Sequence, residues 1–243
     1  MTEQWRVLMD GPVPAVEQMA FDGRLAHEAR LTVRFFRWEP PAVSVGRKQL
    51  SPDWLKTPMW CSSGMEVVER PTGGGIAFHG SDLSLAVIVP RVVVGLSLDA
   101  LMSTVCQSAI KLCDTYASEA EAVLDAERAG RITYCLLDPS PYAVFVDGRK
   151  IAGFALRRYQ ESWLIQGSLL IGPLPEPLTQ AMPGAVQCQL QERAVSLAEA
   201  AGTALRVEDV MNRWAAHWAE WWAAPRKEAS LPYRTWSTSE AKR

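Results

Sequence analysis

The sequence has few of the residues that signal a metal site or a disulfide framework. Only three histidines occur, and they are scattered without the spacing of a zinc motif. The five cysteines include no CxxC pair. An odd number of cysteines in a chain of 243 residues argues against a fold stabilised by disulfide bonds. We therefore expect reduced thiols, a cytoplasmic location and no bound metal.

The chain also lacks a surplus of positive charge and a long apolar run. It holds 25 Lys and Arg against 27 Asp and Glu, which disfavours a general nucleic-acid binder. The longest apolar segment, residues 83–89, is far too short to span a bilayer. The N-terminus has no apolar stretch of signal-peptide type. We expect no nucleic-acid partner and no membrane association.

What the chain does contain is a series of short strand patterns with a few helical ones between them. Strands are predicted at 5–10, 31–38, 42–46, 65–70, 82–90, in a hairpin around Asp147-Gly148, and at 162–172. Helices are predicted at 13–29, 96–117, 192–202 and 207–224, and the Glu/Ala-rich stretch up to Arg131 as a loop or helix extension. This pattern predicts an α+β fold with a mixed, largely antiparallel β-sheet flanked by helices.

Ten tryptophans are an unusual number for this length. Four of them, Trp214, Trp218, Trp221 and Trp222, recur at helical spacing, which predicts one apolar helix face packed on the domain. We therefore interpret the excess mainly as core, not as a ligand surface. One domain over residues 1–225 and a peripheral tail over 226–243 are expected.

A glycine-rich segment is the first candidate site. Gly73, Gly74 and Gly75 follow Arg70 and precede His79. Consecutive glycines allow a ligand to approach the backbone closely, and the flanking cation and imidazole suit a carboxylate, a phosphate or an acyl carbonyl. The segment has neither the P-loop nor the dinucleotide-binding spacing. A flexible turn is the alternative, but the two flanking residues favour binding.

Two further residues carry chemistry only in suitable surroundings. Lys150 follows the Asp-Gly turn, and its spacing alone favours a solvated hairpin charge over a ligand-binding ammonium. Cys135 precedes a Pro-Ser-Pro loop, and a nucleophilic cysteine needs a nearby cation or base. Considered alone, Cys135 is better explained as structural, and Cys106 and Cys113 in the predicted helix 96–117 as inert packing.

Several motifs in one order resemble the lipoate–protein ligase and octanoyltransferase superfamily, which also contains biotin protein ligases. The segments that carry the resemblance are VRFFRWEPPAVSVGRKQ, ERPTGGGIAFHG, VDGRKIAGFALRR and WLIQGSLLIG, within residues 5–172. It implies that Lys150 is the site lysine. It also implies a set of substrate-binding residues: Arg70, Gly73, Gly74, Gly75, His79, Gly153 and Ala155.

Within this superfamily the motifs favour octanoyltransferases of the LipM type over ATP-dependent ligases. Cys135, with the Pro-Ser-Pro-Tyr that follows at 139–142, is similar to the nucleophile segment of that type. Leu83 stands where ligases usually carry Asn, and the chain has no room after the core for a ligase's accessory domain. The resemblance implies acyl transfer from acyl carrier protein through a Cys135 thioester, with Lys150 stabilising the oxyanion and His79 assisting proton transfer.

The acceptor implied is a lysine of a lipoyl-domain protein, such as the glycine cleavage H protein or a dehydrogenase E2, with no cofactor. The alternative is a lipoate–protein ligase that uses ATP and Mg to form lipoyl-AMP. Several departures from the family pattern keep a third alternative open, a non-catalytic acyl- or carrier-binding homologue. They are Glu69 for Arg, Gly75 for Arg, Gly80 for Asp, Ala143 for an acidic residue, Phe154 for Ser and Gln166 for His.

Overall fold

A computed structural model describes residues 5–92, 97–117, 120–124 and 132–223. Ten strands, seven α-helices and one short 3₁₀ helix over Asp53–Lys56 occupy this part of the chain. The strands are β1 (Arg6–Val13), β2 (Thr32–Trp38), β3 (Ala42–Val45), β4 (Glu66–Glu69), β5 (Ala77–His79), β6 (Asp82–Pro90), β7 (Ala120–Leu124), β8 (Tyr142–Val146), β9 (Arg149–Arg158) and β10 (Ser162–Leu170). The helices are α1 (Ala15–Glu28), α2 (Pro58–Ser62), α3 (Leu98–Tyr116), α4 (Glu176–Ala181), α5 (Gly184–Arg193), α6 (Leu197–Ala200) and α7 (Val207–Ala223).

The strands form two sheets. The larger has the order β1-β2-β6-β10-β9-β8-β7, and every pairing in it is antiparallel except that of β1 with β2. The smaller has the order β4-β3-β5, with β4 parallel and β5 antiparallel to β3. The α+β architecture with a mixed, largely antiparallel sheet is therefore confirmed.

The two faces of the large sheet are covered differently. On one face the main core includes Trp214 and Trp218 of α7, both fully buried, together with apolar residues of α3. Trp5 packs edge-on against Trp218 with ring centroids 5.4 Å apart. On the other face, a second cluster joins α1 to residues of β2, β6 and β10. The predicted helix face is thus confirmed for Trp214 and Trp218, whereas the side chains of Trp221 and Trp222 lie outside the described residues.

The turn between β8 and β9 follows from its sequence. Asp147 and Gly148 have positive φ angles of 50° and 71°, as the tight hairpin turns favoured by an Asp-Gly pair require. The predicted hairpin is correct, and it places Lys150 at a defined position on β9.

Two of the predicted elements are wrong. The predicted helix 192–202 is divided, because α5 ends at Arg193 and the next residues run alongside β9: Ala194 forms a bridge with Lys150, and the Val195 N–H donates to the Lys150 carbonyl at 3.1 Å. The predicted loop or helix extension after residue 117 contains strand β7, because its backbone pairs with β8. In both places long-range pairing determines the conformation.

Two further expectations concern the whole chain. No helix in the described part combines the length and apolar character needed to cross a lipid bilayer. The division into a domain over 1–225 and a tail over 226–243 stays a prediction, and the tail lies outside the described residues.

Candidate active site

Cys135 is held against the glycine-rich segment by backbone hydrogen bonds. The Ile76 N–H donates to the Thr133 carbonyl at 2.8 Å, and the Cys135 N–H donates to the Ile76 carbonyl at 2.7 Å. The carboxylate of Asp138 accepts hydrogen bonds from the N–H groups of Thr133 and Tyr134 at 2.6 and 2.9 Å. These contacts fix the turn that contains Cys135, whose side chain is half-buried.

Lys150 is buried beside this turn, with only 2% of the residue exposed. Its ammonium donates to Ser140 Oγ at 2.7 Å and to the Asp138 carbonyl at 3.1 Å. Burial lowers the pKa of Lys150, whereas the negative charges of Cys135 and Asp138 act in the opposite direction. The solvated hairpin charge that spacing alone favoured is therefore wrong.

Cys135 and Lys150 meet above Gly153. A β-carbon placed on Gly153 would lie 2.9 Å from Cys135 Sγ and 3.6 Å from Lys150 Nζ. The thiol thus occupies the space that a side chain at this position would fill, and the ammonium lies at van der Waals distance from that space. A cation next to a cysteine stabilises the thiolate, which is the nucleophilic form.

Arg70 lies in the wall of the site, and two of its nitrogens are engaged by the protein. Its Nη1 is 3.2 Å from both the carbonyl and Oγ of Ser44, and its Nη2 donates to the Gly73 carbonyl at 2.7 Å. Burial lowers the pKa of Arg70, and the negative charge of Cys135 opposes this shift. Gly74 has a φ of +89°, and a β-carbon there would lie 2.9 Å from Arg70 Nη2. The glycine segment therefore wraps closely around the guanidinium.

His79 is also buried in the wall. Its Nε2 lies 2.8 Å from Ser44 Oγ, and its Nδ1 lies 2.8 Å from Asp82 Oδ2. The imidazole stacks on the Trp38 ring with a centroid distance of 3.9 Å and an interplanar angle of 16°. Gly80 stands where the family pattern has Asp, and Asp82 supplies the carboxylate that pairs with the imidazole.

A small, partly open cavity lies between these groups. It lies on one face of the large sheet, where neighbouring positions of β6, β10 and β9 carry the small residues Ser84, Ser168 and Gly153, next to Phe36 on β2. Five predicted site residues line it, namely Arg70, His79, Cys135, Gly153 and Ala155. Lys150, Gly73 and Gly74 are not among the lining residues but lie against them, whereas Gly75 lies against Ile132 and Thr133.

Several cavity residues are not among the predicted site residues, including Met19, Phe36, Trp38, Ser44, Gln166 and Ser168. Trp38 packs in the core and is only 5% exposed, yet it also lines the cavity. Residues two apart on a strand lie on the same face of the sheet, as Phe36 and Trp38 do on β2 and Gly153 and Ala155 do on β9. Once the sheet face that carries the cavity is known, this alternation gives the lining positions. The sequence offers no signal for which face that is.

Two departures from the family pattern have different consequences. Phe154 belongs to the main core on the opposite sheet face, and a β-carbon on Gly167 would lie 2.1 Å from its ring. Gln166 lines the cavity, donates to Asp22 at 2.6 Å and accepts from the Thr72 hydroxyl at 2.8 Å. Phe154 therefore does not line the cavity, whereas Gln166 joins the glycine segment to α1.

The sequence matches a known protein family. Residues 14–219 match the model of the lipoyl protein ligase A/B catalytic domain. The chain belongs to this family. Two of its relatives are octanoyltransferases LipM: that of Kyrpidia tusciae is 28% identical over 238 residues, covering 90% of this chain and 87% of the relative. That of Symbiobacterium thermophilum is 29% identical over 237 residues, covering 90% and 86%.

Solved structures of other members of the family share the fold. The bi-partite lipoate protein ligase of Thermoplasma acidophilum superposes with a TM-score of 0.67 at 16% identity, covering 93% of this chain and 86% of that one. Lipoate-protein ligase A bound with ATP gives a TM-score of 0.68 at 17% identity, covering 93% and 88%. At these low sequence identities, the structural similarity shows only that this chain has the lipoyl-ligase fold.

Proposed function

We propose that this protein is an octanoyltransferase of lipoate metabolism that works through a thioester on Cys135. The observation that supports this most strongly is the convergence of Cys135 and Lys150 above Gly153, at the wall of a cavity. A thiol next to a buried ammonium forms an activated nucleophile. Sequence similarity to octanoyltransferases LipM over most of the chain points in the same direction.

The first half-reaction acylates the enzyme. The Cys135 thiolate attacks the thioester carbonyl of octanoyl acyl carrier protein in the cytoplasm. A new S–C bond forms, the bond between the acyl carbon and the carrier sulfur breaks, and the carrier leaves as a thiol after taking up one proton. The Lys150 ammonium stabilises the oxyanion of the tetrahedral intermediate.

The second half-reaction transfers the acyl group to an amine. The ε-amine of a lysine on a lipoyl-domain protein attacks the carbonyl of the Cys135 thioester, and its nitrogen loses one proton to the solvent. An amide bond forms, the bond between the acyl carbon and the Cys135 sulfur breaks, and the electron pair leaves on the sulfur as a thiolate. The octanoyl chain is expected to occupy the cavity lined by Met19, Phe36 and Trp38, since each buried methylene contributes about 0.8 kcal/mol. Because the donor is already a thioester, the proposed reaction uses no nucleotide cofactor.

Intact-mass analysis after incubation with octanoyl acyl carrier protein tests this proposal. We expect one octanoyl adduct that is absent from Cys135→Ala and present in Cys61→Ala and Cys188→Ala, which remove exposed thiols. The adduct should disappear when a lipoyl domain is added, with gain of the octanoyl mass on that domain. Modification of the lipoyl domain only with Mg-ATP and lipoate would instead indicate a ligase. No reaction in either assay would indicate a non-catalytic binding protein.

A further inference from the structure

The hydroxyl of Ser140 binds the side-chain nitrogen of Lys150. Ser140 Oγ lies 2.7 Å from Lys150 Nζ, and the carbonyl oxygen of Asp138 lies 3.1 Å from the same nitrogen. Both side chains are buried, with 7% of Ser140 and 2% of Lys150 exposed. Asp138 and Ser140 follow Cys135 in one short loop. The loop that carries the proposed nucleophile therefore also carries two groups that bind the amine.

A bulge in β9 turns Lys150 toward this loop. Between two of its paired positions, β9 has one residue more than β8, and the extra residue is Ile151. A bulge of this kind re-aims the side chains around it. Ile151 and Ala152 are consecutive, yet both pack in the main core. Lys150 consequently lies on the cavity face beside Gly153, where its amine reaches the loop that carries the nucleophile.

Two negative charges act on Lys150. They belong to Cys135 and Asp138, and both oppose the effect of burial, which lowers the pKa of Lys150. Ala194 and Val195, which lie along β9 at this point, carry no charge. Acylation of Cys135 turns the thiolate into a neutral thioester and removes one of the two charges. The ammonium is then less favoured, so a partner that binds the nitrogen in either state keeps it in place through both half-reactions.

A hydroxyl is suited to both states of the amine because it has one hydrogen to donate and lone pairs that accept. The ammonium has three hydrogens and no lone pair, so it donates to Ser140 Oγ and to the Asp138 carbonyl. A neutral amine has two hydrogens and one lone pair, so it can accept from Ser140 while it still donates to the Asp138 carbonyl. The carbonyl, which only accepts, cannot make this exchange.

We propose that Ser140 is a positioning residue that keeps Lys150 Nζ beside Cys135 whether the amine is charged or neutral. This role rests on the proposed function and adds a residue to it. Ser140 is not among the described residues that line the cavity, so it acts through Lys150 and not on the substrate. Both half-reactions pass through a tetrahedral oxyanion beside Lys150. Loss of the hydroxyl should therefore slow both of them.

A double-mutant cycle tests whether Ser140 acts through Lys150. Ser140→Ala should slow octanoylation, and transfer from the isolated octanoyl-enzyme to a lipoyl domain, by about 10- to 100-fold, the range expected for a hydrogen bond to a charged group. In the Lys150→Met background, Ser140→Ala should slow octanoylation by less than about twofold, because the interaction between the two side chains is already lost. Ser140→Thr keeps a hydroxyl and should restore most of the rate. Intact mass against time measures each reaction.

Alkylation of Cys135 by iodoacetamide gives a second measurement that uses no acyl donor. A cation beside a cysteine favours the reactive thiolate, so displacement of the Lys150 nitrogen should slow alkylation. We expect Ser140→Ala to lower the rate at Cys135 when Lys150 is present and to leave it unchanged in Lys150→Met. Cys61 and Cys188 are exposed and serve as internal controls, because their rates should be the same in every variant.

Ser162→Ala is the matched control, because it removes another buried hydroxyl, one that donates to the Ala26 carbonyl at 2.6 Å. Three results would overturn the role of Ser140: equal slowing by Ser140→Ala with and without Lys150, slowing of only one half-reaction, or equal slowing by Ser162→Ala. Each of them leaves the proposed function intact, whereas the absence of any octanoyl adduct on the unchanged protein ends both. If Ser140→Ala does not fold by urea denaturation, then Ser140→Cys, of similar size but a weak hydrogen-bonding group, takes its place.

Discussion

The sulfur of Cys135 lies 2.9 Å from the point at which a β-carbon on Gly153 would stand. Lys150 Nζ lies 3.6 Å from the same point. Gly153 faces the cavity from β9, so the absence of a side chain there allows a thiol from one segment to meet an ammonium from another. The pairing of nucleophile and cation depends on this glycine as much as on the two reactive residues.

Replacing Gly153 with Ala should displace Cys135 from Lys150. Contacts as short as 2.9 Å are not tolerated by a real β-carbon, so the thiol must shift. We expect at least a tenfold loss in the rate of octanoylation, measured by intact mass against time. Gly172→Ala is the control, because a β-carbon there meets nothing within 4 Å. An unchanged rate in Gly153→Ala would show that the position of the thiol does not limit the reaction.

Removing the ammonium should have a larger effect. Lys150→Met keeps the apolar stem of the side chain but removes the charge that stabilises the oxyanion, and loss of one such donor costs about 10²–10³ in rate. We expect this fall in single-turnover octanoylation. Arg149→Gln on the same strand provides the comparison, because Arg149 forms an exposed ion pair with Glu199 and should alter the rate little. Equal rates for both variants would exclude a role for Lys150.

The hairpin that carries Lys150 could be predicted from the sequence, but the burial of Lys150 could not. Asp147-Gly148 specifies the turn through backbone conformations that few other residues adopt. The burial of Lys150 depends on residues far along the chain, since Ala194 and Val195 cover β9. The same applies to Ser44, His79 and Asp82, which belong to three strands. The resemblance to the family identified Cys135 and Lys150, whereas the serine and carboxylate that flank His79 emerge only from strand pairing.

The five free cysteines should differ in their reactivity with iodoacetamide at pH 8. Burial raises the pKa of Cys113 to about 12 and that of Cys106 still further, so both remain inaccessible thiols in the native protein. Cys61 and Cys188 are exposed and Cys135 is half-buried at the cavity, so these three should be alkylated. Peptide mass mapping after incubation with octanoyl acyl carrier protein should show protection of Cys135 alone. Alkylation of Cys135 at an undiminished rate would contradict the thioester mechanism.

Fold stability should depend on the buried ion pair behind the cavity. Arg34 is 1% exposed, and its Nη1 donates to Asp22 at 2.6 Å and its Nε to Asp10 at 2.5 Å. Arg34→Met leaves the buried Asp22 without its cation, which should lower the free energy of unfolding by about 3–5 kcal/mol. Urea denaturation followed by tryptophan fluorescence measures this.

The half-exposed pair of Arg37 with Glu208 is the matched control for Arg34. Arg37→Met should change the free energy of unfolding by about 0–1 kcal/mol, because water already solvates such pairs. Adding Asp22→Asn to Arg34→Met removes the uncompensated charge and should restore part of the lost stability. The guanidinium carbon of Arg34 also packs between the rings of Phe21 and Phe36, at 4.6 and 4.2 Å from their centroids. If the double variant is no more stable than Arg34→Met, the lost stability comes from this packing and not from the charge of Asp22.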